Sequence, residues 1–205
     1  MPVIKIQKQE ILQRCWQVLH REGYHGTSIS ALAEATGLGK AGLLHHFGSK
    51  EALMQAVLEY ALQAFRQYVL SVAHEDLPVE QRLEKLLRRQ NRLAKSERKG
   101  CFFANTALEM GRAEPFGTWL KAFFEEWQEV VACLLANNMP PSEAQEMAYS
   151  LLLEYQGAVT LYKVTGDPAH LEHLVQRAVQ RLQYASARIQ QQSPHHNIIY
   201  EKNAI

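Results

Sequence analysis

The sequence predicts an all-α protein of about nine helices. Three observations predict it. Apolar residues recur at three- and four-residue steps almost throughout the chain. No stretch alternates apolar and polar residues in the manner of a half-buried strand. No Asn-Gly or Asp-Gly hairpin turn occurs.

A first helix is expected over 4–22, where Ile4, Ile11, Leu12, Cys15, Trp16 and Leu19 share a face and Gly23 ends the run. Two short helices follow at 29–36 and 40–46. A long one spans 50–73, capped by Ser49, with Glu51 near its positive end. Pro78 opens a helix to 96 whose outer face is basic (Arg82, Lys85, Arg88, Arg89, Arg92, Lys95), read as a solvated face. The next runs over 102–110 and stops at Gly111. A tryptophan-rich helix covers 115–137 and stops before Pro140-Pro141. Ser142 and Glu143 start a helix to Thr165, where Gly166-Asp167-Pro168 breaks it. The last helix covers 169–190, and 191–205 is expected to be a flexible tail.

The chain has 205 residues, 47 % of them hydrophobic, with 22 Lys+Arg against 21 Asp+Glu. That excludes a collagen-like, a mostly disordered or a disulfide-framework chain. The longest apolar run, Val130 to Ala136, is far short of the ~20 residues that cross a bilayer. The segment MPVIKIQKQE has no apolar core of a secretory signal, so a cytoplasmic protein is expected. Cys15, Cys101 and Cys133 are odd in number and far apart, as buried thiols in a reducing compartment would be. Residues 1–50 carry six Lys/Arg and three Glu; the remainder is slightly acidic. A basic head on an acidic body points toward a nucleic-acid-facing N-terminus.

The most informative stretch is Thr27 to Lys50, TSISALAEATGLGKAGLLHHFGSK. Thr27 or Ser28 can cap a short helix, Gly37 supplies a positive φ in the Thr36-Gly37-Leu38-Gly39 turn, and Leu38 can plug the angle before a second helix from Lys40 or Ala41. Spacing alone leaves two readings open, a DNA-binding helix–turn–helix or an αα-corner of a helical core. The stretch resembles the DNA-binding head of the tetracycline-repressor (TetR) family. The matches are Thr27-Ser28, Leu32-Ala33, Gly37-Leu38, Leu43, His46-Phe47, Ser49-Lys50-Glu51 and Leu53, with Gly23-Tyr24 and Gly26-Thr27 before them. At lower specificity the likeness covers the rest of the chain, through Leu153 to Ala158 and Val164 to Pro168. The chain departs from the family pattern at Gly39 (usually Ser), Ala41 (Gly), Gly42 (Thr) and Leu44 (Tyr). The hydroxyls so lost often hold phosphates in the family. Weaker DNA binding with a flatter salt dependence is therefore expected.

The resemblance implies a homodimeric, ligand-responsive repressor on a palindromic double-stranded DNA operator. The head is placed at 1–49 and the ligand-binding and dimerisation body at 50–190. By position, Thr27, Ser28, His45, His46 and Lys50 are expected on phosphates. Lys40, Ala41, Gly42 and Leu44 face the bases, where Lys40 could reach guanine acceptors. Leu44 could instead pack on the first helix, the two histidines could simply be solvated, and Lys50 could be an ordinary helix-start lysine.

The body is rich in aromatic residues, which form either a plain core or an apolar pocket with a few polar anchors. The expected ligand set is Phe102, Phe103, Asn105, Thr106, Glu109, Trp119, Phe123, Trp127, Tyr155 and Gln156. The expected dimer seam is Leu153, Gly157, Leu161, Leu171, Leu174, Val175, Ala178 and Leu182, unless these residues are buried inside one chain. His170 and His173 lack the further ligands of a zinc site, and no metal or cofactor is expected. Cys101, at an expected helix start, is a candidate for a lowered pKa. No phosphate loop, nucleophile elbow or His-Glu-x-x-His occurs, so a binding protein rather than an enzyme is expected. A module of the same fold that binds protein or small molecules without DNA is the alternative.

Overall fold

The computed structural model describes residues 7–111 and 115–192. Among these residues the chain forms nine α-helices and two short 3-10 turns, without strands. Helix α1 (Lys8–Gly26) buries Ile11, Leu12, Cys15, Val18 and Leu19. Its regular run ends at Gly23, as expected. At φ 76° and ψ 171°, Gly23 kinks the helix, and one further turn follows. The expected first turn around Ile4 lies outside the described residues, as does the tail from 193.

Helices α2 (Ile29–Thr36) and α3 (Lys40–Phe47) follow the expected boundaries. Ser28 caps α2 by accepting from the Ala31 N–H at 3.1 Å. Gly37 ends it in the left-handed region, with paired bonds from the N–H groups of Gly37 to Glu34 and of Leu38 to Ala33. Ser49 caps α4 (Lys50–Tyr68) through the Ala52 N–H. Instead of continuing to 73, α4 gives way to a 3-10 turn at Leu70–His74. That turn buries Leu70, Val72 and Ala73.

Helix α5 (Val79–Lys95) leads through Gly100, at φ 78°, into α6 (Phe102–Met110). Helices α7 (Phe116–Leu135), α8 (Pro141–Thr165) and α9 (Ala169–Gln192) complete the body, packing in succession, with α9 also against α5. A large hydrophobic core runs from Ile11 in α1 to Leu182 in α9, and a second, smaller cluster of Ala94, Tyr155, Val159, Tyr162, Leu171 and Leu174 joins α5, α8 and α9. Between α4 and α7, Arg66 donates two 2.6 Å bonds to the Glu126 carboxylate.

The basic face of α5 is an ion-pair lattice. Arg88 reaches Glu84 and Glu172, and Lys85 reaches Glu75. The dimer seam expected on α9 is corrected here. Leu171, Leu174, Val175, Ala178 and Leu182 are all buried within the chain. Their stripe faces α5 and α8, so it already has its apolar partner. Leu153, Gly157 and Leu161 of α8 are exposed.

Candidate nucleic-acid interface and ligand pocket

The α2–turn–α3 unit is held by short-range chemistry. Leu32 and Leu43 are fully buried between the helices, and the buried Thr36 hydroxyl donates to the Leu32 and Ala33 carbonyls. Gly39 gives α3 no side-chain cap, so its leading N–H groups are open to an anion. No acidic residue occupies its first turn.

Lys40, Ala41, His45 and His46 are exposed on α3, and Gly42 is half-buried. Leu44 is also half-buried, and it stays outside the hydrophobic cluster that takes Leu38, Leu43 and Phe47. Ser28 is exposed; its oxygen serves the cap, and its O–H remains a donor. Lys50 has its ammonium 4.2 Å from the centre of the Tyr24 ring, which orients it. Thr27 is a correction. It is buried, and its hydroxyl donates to the Gly23 carbonyl at 2.6 Å, so it stabilises the kink instead of meeting a phosphate.

Head and body meet at that kink. Breaking α1 at Gly23 leaves the N–H groups of Tyr24 and His25 without carbonyls one turn back. The Glu109 carboxylate of α6 accepts both, at 2.8 and 2.6 Å. A Cβ on Gly23 would lie 2.8 Å from that carboxylate, so glycine serves both the positive φ and the close approach. Glu109, expected as a ligand anchor, instead serves these two backbone N–H groups.

A largely apolar cavity of about 360 Å³ lies where α1, α4, α5, α6 and α8 converge. Phe102, Phe103 and Tyr155 line it as expected. The remaining expected anchors do not. Phe103 stacks on Phe123 and Trp119, so those two rings form the core behind the cavity wall, while Phe65, edge-on to Phe103, lines it. Trp127 is buried and donates to Gln90 at 3.0 Å. Asn105 donates to the Lys99 carbonyl, and Thr106 donates to the Phe102 carbonyl. Gln156 hydrogen-bonds the Cys101 thiol.

The lining that sequence reasoning missed comes from α1 (Gln13, Trp16, His20), from the face of α4 that carries Tyr60, Phe65 and Tyr68, and from Gln90, Leu93 and Ala94 of α5. Its signal was present: Tyr60 and Tyr68 are polar-tipped aromatics two turns apart on one face. Cys101 also lines the cavity, but its thiol pKa is raised. Burial outweighs the hydrogen bonds from Ala104, Phe103 and Gln156, which act in the opposite sense. Cys101 is therefore a protonated thiol at neutral pH, not the activated thiolate considered from its helix-start position. Among the described residues no group of three His, Cys, Asp or Glu side chains is placed to hold a metal. None of the described helices is long and apolar enough to cross a membrane.

A two-helix unit with an open-ended second helix, clamped to a helical body with a cavity at the junction, defines a helix–turn–helix DNA-binding protein. Comparison with known proteins agrees at every level. The family model described as "Bacterial regulatory proteins, tetR family" matches residues 11–57. The model for the "Transcriptional regulator LmrA/YxaF-like, C-terminal domain" matches 79–177.

An uncharacterised HTH-type transcriptional regulator of Lactococcus lactis is 26% identical over 80% of this chain and 87% of its own length. The HTH-type transcriptional repressor DhaR of a Mycobacterium species is 22% identical over 82% and 88%. The crystal structure of a TetR regulator from Legionella pneumophila superposes with a TM-score of 0.80. It covers 88% of this chain and 99% of that one, at 24% identity. The chain belongs to the TetR family and is a DNA-binding transcriptional regulator.

Proposed function

We propose that this regulator is a cytoplasmic, homodimeric repressor that leaves a palindromic operator when a small, largely apolar effector fills the junction cavity. The observation that carries the reading is the make-up of that cavity. Three of its lining residues, Gln13, Trp16 and His20, belong to the helix that leads into the DNA-binding unit. A ligand there touches head and body at once. It favours whichever relative placement suits it and releases DNA by its differential affinity for the two placements. The Glu109 clamp and the direct run of α4 from head to body provide the mechanical link. The division into a head at 1–49 and a body at 50–190 remains the working description.

The dimer is proposed through the exposed face of α8. Tyr149, Leu153, Gly157, Leu161 and Val164 recur at three- and four-residue steps there, and Tyr184 of α9 is likewise exposed. Nothing lies within 4 Å of a Cβ built on Gly157, so a second copy can approach closely at that point. Two-fold pairing would set the α3 helices about one DNA turn, ~34 Å, apart. Repression is favoured by the likeness to the transcriptional repressor DhaR. On DNA, Ser28, His45, His46 and Lys50 are assigned to phosphates and Lys40, Ala41, Gly42 and Leu44 to base edges.

Fluorescence anisotropy on DNA from upstream of the chain's own gene, at two salt concentrations, tests this. Saturable, sequence-selective binding that weakens with salt is expected. Binding no tighter than to unrelated DNA, followed by an operator selection that enriches nothing, would sink it.

A further inference from the structure

The junction cavity has a closed end and an open end. Phe65, Gln90, Ala94, Phe102, Phe103 and Tyr155 form the closed end, and none of them is more than 6 % exposed. Gln13 of α1, Ala64 of α4 and Leu93 of α5 also line the cavity and are exposed, so they mark its opening to solvent. Tyr60 of α4 is half-buried beside them.

Polarity follows the same division. The polar side chains of the closed end are Gln90 and Tyr155, and both are engaged. Gln90 accepts from the Trp127 indole at 3.0 Å and hydrogen-bonds the Tyr155 hydroxyl. The rest of that end is apolar or aromatic surface. A ligand hydroxyl or amide pressed against it loses water and gains no partner, which weakens binding. A charge fares worse, because no Asp, Glu, Lys or Arg lines the cavity. At the opening, water reaches the ligand and hydrates its polar groups. The side chains of Gln13 and Tyr60 make no hydrogen bond to another described residue, and they add an amide and a hydroxyl there.

We infer that the effector is a one-ended amphiphile. Its uncharged, apolar body fills the closed end, and its polar groups are gathered at the other end, in the opening between Gln13, Ala64 and Leu93. This rests on the cavity being the effector site. The orientation fixes which changes to the ligand are tolerated. A polar substituent on the outward end stays in water and costs little; the same substituent on the inward end must be stripped of water against the buried phenylalanines.

The test compares three probes of one shape on the full chain, by calorimetry and by operator release. They are 2,6-dipropoxynaphthalene, 2-(2-hydroxyethoxy)-6-propoxynaphthalene and 2,6-bis(2-hydroxyethoxy)naphthalene, which differ only in carrying a terminal hydroxyl in place of a methyl on neither, one or both ends. The first hydroxyl is expected to change affinity by less than about three-fold, because it stays in the opening. The second is expected to weaken binding at least about ten-fold, because it must enter the closed end. Ala64→Trp, at an exposed position, narrows the opening and is expected to weaken the one-hydroxyl probe at least about ten-fold. If Ala64→Trp does not fold, Leu93→Trp narrows the same opening from α5. Equal losses at the first and the second hydroxyl, or unchanged affinity for the one-hydroxyl probe in the tryptophan variant, overturn the inference. Operator release by that probe in wild type then still keeps the effector site standing. If no probe binds and none changes operator affinity, the effector-site reading falls with the inference.

Discussion

Glu109 holds two backbone N–H groups of the head from a helix of the body, with Tyr24 85 residues away in the chain. Removing the carboxylate leaves both donors without their partner at a kink that must persist for Thr27 to be buried. Glu109→Ala is expected to lower the melting temperature by about 3–8 °C in a thermal scan. It should also weaken operator binding, because the last turn of α1 sets the start of α2. On α3, Leu44→Tyr restores a hydroxyl on the open face and is expected to tighten operator binding several-fold in anisotropy titrations. Lys40→Ala is expected to narrow the gap between operator and unrelated DNA by about ten-fold, since a lysine on a base edge contributes discrimination. The caps at Ser28 and Ser49 and the left-handed Gly37 were legible in the sequence because each acts within four residues. The roles of Thr27 and Glu109 were not, because both depend on where a kinked helix end meets a distant segment.

Among the elements, α8 and α9 show how far periodicity reaches. Both carry leucine-rich faces, and pattern alone does not say which face the chain itself covers. In α9 the Leu171, Leu174 and Leu182 stripe is consumed by α5 and α8, while in α8 the Leu153 and Leu161 stripe stays open. Leu153→Asp combined with Leu161→Asp is therefore expected to give a folded monomer in analytical ultracentrifugation. Operator affinity should fall on the order of 100-fold as the second head is lost.

The junction of α5 and α9 carries a pH signature. The Glu172 carboxyl pKa is lowered, chiefly by hydrogen bonds from the Arg88 guanidinium. A lowered folded-state pKa contributes stability above the unfolded value, about 4.3 for Glu, and that contribution is lost as pH falls through the folded value. Glu172→Gln is expected to lower the melting temperature slightly at pH 7, and the difference from wild type should close below about pH 4.

For the whole molecule, the proposed effector mechanism makes a thermodynamic demand. If effector and operator are coupled through head placement, the coupling is reciprocal. The factor by which effector weakens operator binding equals the factor by which operator weakens effector binding. Calorimetric titration of effector with and without operator should return the same factor as anisotropy titration of operator with and without effector. In Glu109→Ala both factors are expected to shrink together, because the clamp is one of the links between the two ends.

The sequence by itself determined the helical class, the order and approximate limits of the helices, and the caps and left-handed glycine of the two-helix turn. These are set by contacts within a few residues, so composition and spacing report them directly. The tertiary structure alone decided which aromatic side chains enclose the cavity and which stack behind it. It also decided which leucine face remains open, and that a carboxylate in α6 serves a kink in α1. Those outcomes depend on how helices far apart in the chain approach one another, and no local pattern encodes that approach.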